Sequence, residues 1–251
     1  MIIDAHVRLG AGRDVDLGLD ELLATMDALG IAQTLVSPAE AEIAFDNRSG
    51  NERIAAICGG SDGRLLPYAV ATPWAGAAAV AELTRARANG AVALAVDPAL
   101  QGFDLLEGLL DPLLRFAAEA HWPVYVRTGT PPSALPLGLA ELALRHPDVT
   151  FIMGRSGATD FWIDAPPALL RAPNLLADTA YAGWDTLLDP LIRDPAIGPS
   201  RFVMSTDSPY AIPKIELDRL FEWPIKNADR NLILGQTLAD VLGQSTTTPV
   251  G

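Results

Sequence analysis

Histidine and cysteine are scarce in this chain of 251 residues, which holds three of the first and one of the second. The lone Cys58 excludes an intrachain disulfide, and no Cys-x-x-Cys pair or Cys/His cluster offers a structural zinc site. No apolar run approaches the roughly 18 residues of a membrane span. The opening MIIDAHVRLG lacks a basic stretch followed by an apolar one and a cleavage site. A soluble, cytoplasmic protein is therefore expected. Neither Gly-x-Ser-x-Gly nor Ser-x-x-Lys occurs, which argues against a serine nucleophile. The Gly-x-Gly-x-x-Gly and Gly-x4-Gly-Lys-[Ser/Thr] phosphate-binding patterns are absent too. Positive charge is the minority sign, 18 Lys+Arg against 31 Asp+Glu, for a net charge of -13. An average field of that sign repels nucleic acid and anionic membranes alike, so neither is an expected partner.

Apolar residues make up 49% of the chain, enough for a substantial core. Short β-branched runs alternate with longer helical patterns throughout. Strands are expected over Met1–Val7, Ile31–Ser37, Leu65–Thr72, Ala91–Val96, Pro123–Arg127, Val149–Gly154, Asn174–Asp178 and Arg201–Thr206. Between them, segments such as Leu19–Leu29, Ala77–Asn89, Leu105–Ala120 and Leu135–Arg145 repeat apolar residues at i, i+3, i+4 and i+7. Gly30 and Gly90 stand where a helix hands over to a strand, and His146-Pro147 closes another helix. Eight strands with intervening helices in one chain predict a single (β/α)8 barrel of the TIM type, with a doubly wound open sheet as the alternative. The barrel is expected over residues 1–244, followed by a polar tail, Ser245–Gly251, that frays. The stretch Pro38–Gly50 is the longest gap near a strand end and is expected to be a mobile loop.

In such a barrel, chemistry gathers at the C-terminal strand ends. Those positions carry His6 and Arg8, Ser37, Thr72 with Trp74, Asp97, Arg127, Arg155, Asp178 and Asp207. In order and spacing, IIDAHVRLG, AEAHWPVYVRTG, RHPDVTFIMGRSG, NLLADTA and RFVMSTDSPY resemble successive strand segments of the amidohydrolase superfamily. The resemblance is to its amidohydrolase-2 group of aminocarboxymuconate-semialdehyde decarboxylases, resorcylate-type decarboxylases and dicarboxylate lactonases. It implies a metal site of two first-strand histidines, a fifth-strand and often a sixth-strand histidine, and an eighth-strand aspartate. Only His6 and Asp207 match that set; Arg8, Arg127 and Arg155 stand where the other ligands belong. A guanidinium has no available lone pair and stays protonated, so it cannot ligate a metal. The expectation is a site without a metal or other cofactor.

Three cations around one matched acid predict a small carboxylate as ligand, gripped by Arg8, Arg127 and Arg155. By resemblance to metal-free lactonases of the superfamily, Asp207 would activate water, with His6 as a competing base. Hydrolysis of a small carboxylated ester or lactone is the first expectation. A non-catalytic anion-binding protein and a decarboxylase are the alternatives. Trp74, Trp162 and Tyr210 are expected as pocket walls, with Tyr181 and Trp184 as further aromatic candidates and Tyr125 as core. The resemblance also allows a homodimer.

Overall fold

Strand 1 of the computed structural model, β1 (Ile2–Arg8), is almost entirely buried and pairs in parallel with β2 (Ile31–Ser37). The structure describes residues 1–158, 160–181 and 185–244. The expected tail Ser245–Gly251 and Trp184 lie outside the described residues. The sheet continues in sequence order through β3 (Leu65–Ala69), β4 (Ala93–Val96), β5 (Val124–Arg127), β6 (Phe151–Gly154), β7 (Leu175–Asp178) and β8 (Phe202–Val203). Every ladder in this sheet is parallel. Beyond β8 the chain returns to β1, where the Ala5 and Arg8 N–H groups donate to the Met204 and Ser208 carbonyls at 2.9 Å each. These bonds and a parallel bridge between Val7 and Ser208 bring the end of the sheet back to its first strand, as a nearly closed (β/α)8 barrel. Among the described residues, no helix is long and apolar enough to cross a membrane.

Inside the barrel, Ile3, Ala5, Leu35, Tyr68, Tyr125, Ile152, Leu176 and Val203 form one packed cluster. Outward residues such as Leu94, Val124, Val126, Phe151 and Leu175 pack under the helices in a second. Alternation along each strand produces the two layers, because successive side chains point to opposite faces. The helix Leu19–Leu29 ends at Gly30, whose φ of 67° is the left-handed conformation that a helix-terminating glycine supplies. Leu105–Ala120 shortens to a helix over Asp111–Ala120, opened by Pro112 and stopped by His121 in the same left-handed region.

Strand 1 breaks its own alternation. Asp4 pairs with Thr34 and Val7 with Val36, so three steps on β1 oppose two on β2. This bulge changes the phase of the side chains. Ile3 and Ala5 face the interior cluster, and Val7 belongs to an outer cluster with Leu22, Met26 and Val36. His6, one residue past Ala5, also turns inward and stacks on Tyr125.

Pro38–Gly50 is not the irregular loop expected from sequence. It folds as a short helix, Glu40–Ala44, followed by the start of a longer one, Asn47–Gly59. The Asn47 amide donates to the Glu42 and Ile43 carbonyls at 2.9 and 2.8 Å, satisfying the first helix's C-terminal end. Glu42 accepts from the Ala39 N–H at 3.0 Å and from Arg53 Nε at 2.9 Å. Side-chain bonds of this kind leave no periodic trace in a five-residue helix.

At the mouth, Gly129 has a φ of 107°, and a Cβ there would lie 1.6 Å from the Ala158 carbonyl oxygen. Only glycine permits this approach. It draws the loop after β5 against the loop after β6, and with it Arg127 toward Arg155.

Candidate active site

The strand ends and the loops just beyond them bring His6, Arg8, Arg127, Arg155, Asp207 and Tyr210 into one cluster. Asp207 is the most enclosed of them, with no exposed surface. Arg155 Nε donates to its Oδ2 at 2.6 Å, and Nη2 lies 2.5 Å from the same oxygen. Burial alone would push this carboxyl up; Arg155, His6 and Arg127 override it and hold the group well below the ordinary carboxylate range. The other oxygen, Oδ1, faces His6 Nδ1 at 3.4 Å.

An ionised carboxylate has no proton to give, so His6 turns Nδ1 to Asp207 as the donor side, while its Nε2 lies 3.1 Å from the Ser37 hydroxyl, which donates to the Val7 carbonyl at 3.3 Å. The imidazole stacks on Tyr125 with ring centroids 4.1 Å apart. Its pKa falls to about 4, mainly through burial, with Arg8 and Arg127 adding to the fall and Asp207 opposing it. His6 is therefore neutral at pH 7, as expected, but burial contributes more than the neighbouring cations do.

Arg8 has a partner of its own. Its Nη2 donates to Asp97 Oδ2 at 2.5 Å and its Nη1 to the Tyr210 hydroxyl at 3.2 Å. Burial would push the Asp97 carboxyl up, but Arg8 and Arg127 keep it below the ordinary value. Arg127 differs from both other arginines. Its guanidinium makes no hydrogen bond within the described residues, and its nearest carboxylate oxygen, on Asp97, is 3.7 Å away. Burial, Arg8 and Arg155 all push its pKa down. Of the three guanidiniums it is the one whose charge the protein leaves least compensated.

Tyr210 stands among all three. The Arg127, Arg155 and Arg8 guanidinium carbons lie 4.8, 5.1 and 5.5 Å from its ring centroid. Its hydroxyl donates to Glu40 Oε1 at 2.8 Å. The Arg155 guanidinium carbon also lies 4.5 Å from the centroid of the Tyr181 ring. Arg155, Ser156, Tyr181 and Asp207 all adopt positive φ, between 47° and 64°, a cost that clusters where strands 6 to 8 meet the site.

A cavity of about 320 Å³ opens at the barrel mouth, with Arg8, Arg13, Glu40, Asp97, Arg127 and Thr128 on its wall. His6, Asp207 and Arg155 do not line it, and Tyr210 meets it through Arg8 and Glu40. Trp74 and Trp162, expected as walls, stay outside the lining and are 61% and 42% exposed. Trp74 instead donates its indole N–H to the Gln101 carbonyl at 2.9 Å. Tyr125 is core, as expected, yet it also forms the stacking surface under His6.

Arg13 and Glu40 were not legible as site residues. Arg13 rides a two-stranded hairpin, Gly10–Ala11 with Asp16–Leu17, and its N–H donates to Glu40 Oε2 at 2.9 Å. The glycines at 10 and 12 are the only sequence signal for that turn.

Burial works against negative charge on two further buried acids, Asp4 and Asp178. The Asp4 carboxyl is pushed up to about 7 by burial, against bonds from Thr206 and the His6 N–H that favour ionisation. Asp178 is pushed well above the ordinary value by burial and by Asp207. The folded chain thus holds the Asp4 proton more tightly than the unfolded chain, whose carboxyl titrates near 3.8. Its stabilising contribution is full below about pH 4 and is lost as pH rises through about 7. Asp4→Asn, which mimics the protonated form, should flatten the decline of unfolding free energy across that window. Urea denaturation at several pH values measures it; identical slopes in the two proteins would contradict a buried proton on Asp4.

The residues present do not fit a catalytic divalent metal. Among the described residues, no three His, Cys, Asp or Glu side chains are grouped to hold one. Arg155 takes one Asp207 oxygen, and the remaining donors, Oδ1 and His6 Nδ1, face each other.

The described residues thus form a (β/α)8 barrel whose mouth carries a buried His–Asp pair and three arginines. The chain belongs to the amidohydrolase family, whose model matches residues 3–243. No curated protein matches it in sequence. In structure it is similar to 2,6-dihydroxybenzoate decarboxylase from Rhizobium, at 19% identity and a TM-score of 0.73, covering 97% of this chain and 99% of that one. It is likewise similar to 5-carboxyvanillate decarboxylase from Sphingomonas paucimobilis, at 14% identity and TM-score 0.80, over 97% and 99% of the two chains. A third likeness is to 5-carboxyvanillate decarboxylase from Novosphingobium aromaticivorans, complexed with manganese and 4-hydroxy-3-methoxy-5-nitrobenzoic acid. There the identity is 15%, the TM-score 0.77 and the coverage 97% and 96%.

Proposed function

We propose that this protein binds a small aromatic carboxylate at the barrel mouth and decarboxylates it without a resident divalent metal. The observation that carries the reading is Arg127: a guanidinium on the cavity wall, without a hydrogen bond among the described residues and short of countercharge. An arginine fork in that condition is completed by a carboxylate. Ala99, Leu100, Pro131 and Ala134 supply apolar wall, and a cavity of about 320 Å³ suits a ligand of one ring. Arg8 and Arg127 would hold the carboxylate on entry. They would also steady charge on a neighbouring ring oxygen as CO2 leaves, the electrostatic service a divalent cation renders elsewhere.

Decarboxylation is preferred to hydrolysis for two reasons. The decarboxylases similar in structure support it, and the groups that would activate water do not border the cavity. Asp207 is enclosed by Arg155, which makes it a weak base. The same enclosure favours a second reading, an anion-binding protein without turnover. Both readings share the ligand, so the test has two parts. Calorimetric titration with benzoate and 2,6-dihydroxybenzoate is expected to register binding. Chelator-stripped protein with a carboxyl-labelled hydroxybenzoate is then expected to release labelled CO2. Binding without release supports the second reading. Activity that returns only with stoichiometric manganese or zinc overturns metal independence.

A further inference from the structure

Arg127 has a counterpart of opposite sign on the cavity wall. Glu40 has no cation in ion-pair contact among the described residues. Its oxygens accept instead from neutral donors, Oε2 from the Arg13 N–H at 2.9 Å and Oε1 from the Tyr210 hydroxyl at 2.8 Å. Burial would push this carboxyl up, but those two bonds, with Arg8 and Arg13 nearby, hold it below the ordinary value. Glu40 is therefore ionised at neutral pH. The other charges on the wall are paired. Asp97 meets Arg8 at 2.5 Å. Arg13 meets Asp14 at 3.1 Å with both side chains more than two-thirds exposed, so water and salt screen that pair. The lining thus offers a ligand one guanidinium without a hydrogen bond, Arg127, and one carboxylate without a cation, Glu40.

The two groups are held in place. Arg127 Cζ lies 4.8 Å from the Tyr210 ring centroid, and Glu40 accepts from the hydroxyl of the same ring. Glu40 opens the helix Glu40–Ala44, in which Glu42 accepts from Arg53 Nε at 2.9 Å. Arg53 Nη2 also donates to the Leu9 carbonyl at 2.8 Å, at the foot of the hairpin that carries Arg13.

We propose that Glu40 determines the specificity of this site: it rejects a ligand with a second carboxylate and admits a monocarboxylate whose far end is a neutral hydrogen-bond donor. The inference deepens the aromatic-carboxylate reading above and rests on it. Over the whole mouth Arg8, Arg127 and Arg155 are matched by Asp97, Asp207 and Glu40, so no surplus of positive charge awaits a second carboxylate. Nor can such a group avoid Glu40. The cavity holds about 320 Å³. A sphere of that volume is about 8 Å across, the order of one Debye length at physiological salt, so a charge on its wall acts on every part of a bound ring. A hydroxyl or amide in the same place has the opposite effect. Each carboxylate oxygen accepts two hydrogen bonds, and the Arg13 N–H and Tyr210 leave one position open on each oxygen of Glu40. Repulsion of the wrong ligand and attraction of the right one then come from a single side chain.

The test is calorimetric titration of the full chain at pH 7 and low ionic strength. The probes are benzoate, and isophthalate and terephthalate each beside its monoamide. A monoamide has nearly the shape of its diacid but one negative charge and a donor in place of the second. Wild type should bind benzoate and both monoamides, and bind each diacid roughly tenfold or more weakly than its monoamide, with the gap narrowing as salt is added. In Glu40→Gln, which keeps an acceptor but not the charge, the gap should fall to within about threefold while benzoate affinity changes little. If Glu40 served only to brace the hairpin, the variant would lose affinity for all the probes together, and that result overturns the proposal. Wild type that binds a diacid as tightly as its monoamide also overturns it, needs no variant, and leaves the carboxylate reading standing. Wild type that binds none of the probes overturns both.

Discussion

Arg127→Leu is expected to weaken benzoate binding by about 2–5 kcal/mol, a factor of roughly 30 to several thousand, without lowering the stability of the fold. Removing an ordinary buried arginine is destructive because it leaves a carboxylate unpaired. Arg127 is not ordinary in this respect. Its guanidinium has no hydrogen bond within the described residues, its contact with Asp97 is 3.7 Å long, and Arg8 already pairs with that acid at 2.5 Å. Two like charges press on it, and both work against its protonated form. Replacing it with a similar apolar volume removes a repulsion and should leave the unfolding temperature unchanged or raised. Arg8→Leu is the informative contrast, since it strands Asp97 in the core of the mouth and should lower stability. Calorimetry and thermal unfolding on the same samples read both effects. Full benzoate affinity in Arg127→Leu would remove the anion site.

Asp207→Asn should destabilise the protein by roughly 3–5 kcal/mol at pH 7, because the buried Arg155 guanidinium loses the charge that compensates it. Arg155 Nε and Nη2 both converge on Asp207 Oδ2, and no other carboxylate bonds its side chain within the described residues. The sign of the pH dependence follows from the depressed pKa. Asp207 ionises more readily in the folded chain than in the unfolded one, where it titrates near 3.8. Its contribution is present above about pH 4 and is lost as pH falls below that value. The deficit of Asp207→Asn against wild type should therefore be full at pH 7 and shrink in acid, opposite in sense to the effect at Asp4. Removing the partner as well, in Arg155→Leu/Asp207→Asn, should recover much of the loss, since no unpaired charge remains. Urea denaturation of both single variants and the double variant completes the cycle. A deficit below about 1 kcal/mol for Asp207→Asn would mean that solvent reaches Arg155 and compensates it.

Much of the fold was legible because its signals are local. Ile31–Ser37 and Leu19–Leu29 form over the residues that their periodicity marks, and Gly30 ends its helix in the left-handed conformation foreseen for it. Arg201–Thr206 shrinks to Phe202–Val203 because the residues beyond it turn aside, the Met204 N–H donating to the Ile233 carbonyl at 2.9 Å. Pro38–Gly50 was misread as a loop because Asn47 and Glu42 stabilise two helix ends with side-chain bonds that no hydrophobic pattern records. Arg13 and Glu40 escaped notice for a related reason. They reach the cavity from a hairpin and a short helix that pack above the strand ends, not from the strand ends themselves.

By itself the sequence determined that eight strands alternate with helices, and that arginines stand where three metal-binding histidines belong in the family it resembles. Those follow from residue type and spacing, which are properties of a one-dimensional string. The tertiary structure alone decided which acid each arginine meets: Asp97 takes Arg8, Asp207 takes Arg155, and Arg127 is left facing the cavity. It also decided that the bulge in β1 turns His6 inward onto Tyr125, off the lining of the pocket. The physical reason is range. Strand and helix propensity act over a few residues, whereas charge pairing and burial depend on groups that strands from opposite ends of the chain bring within about 3 Å.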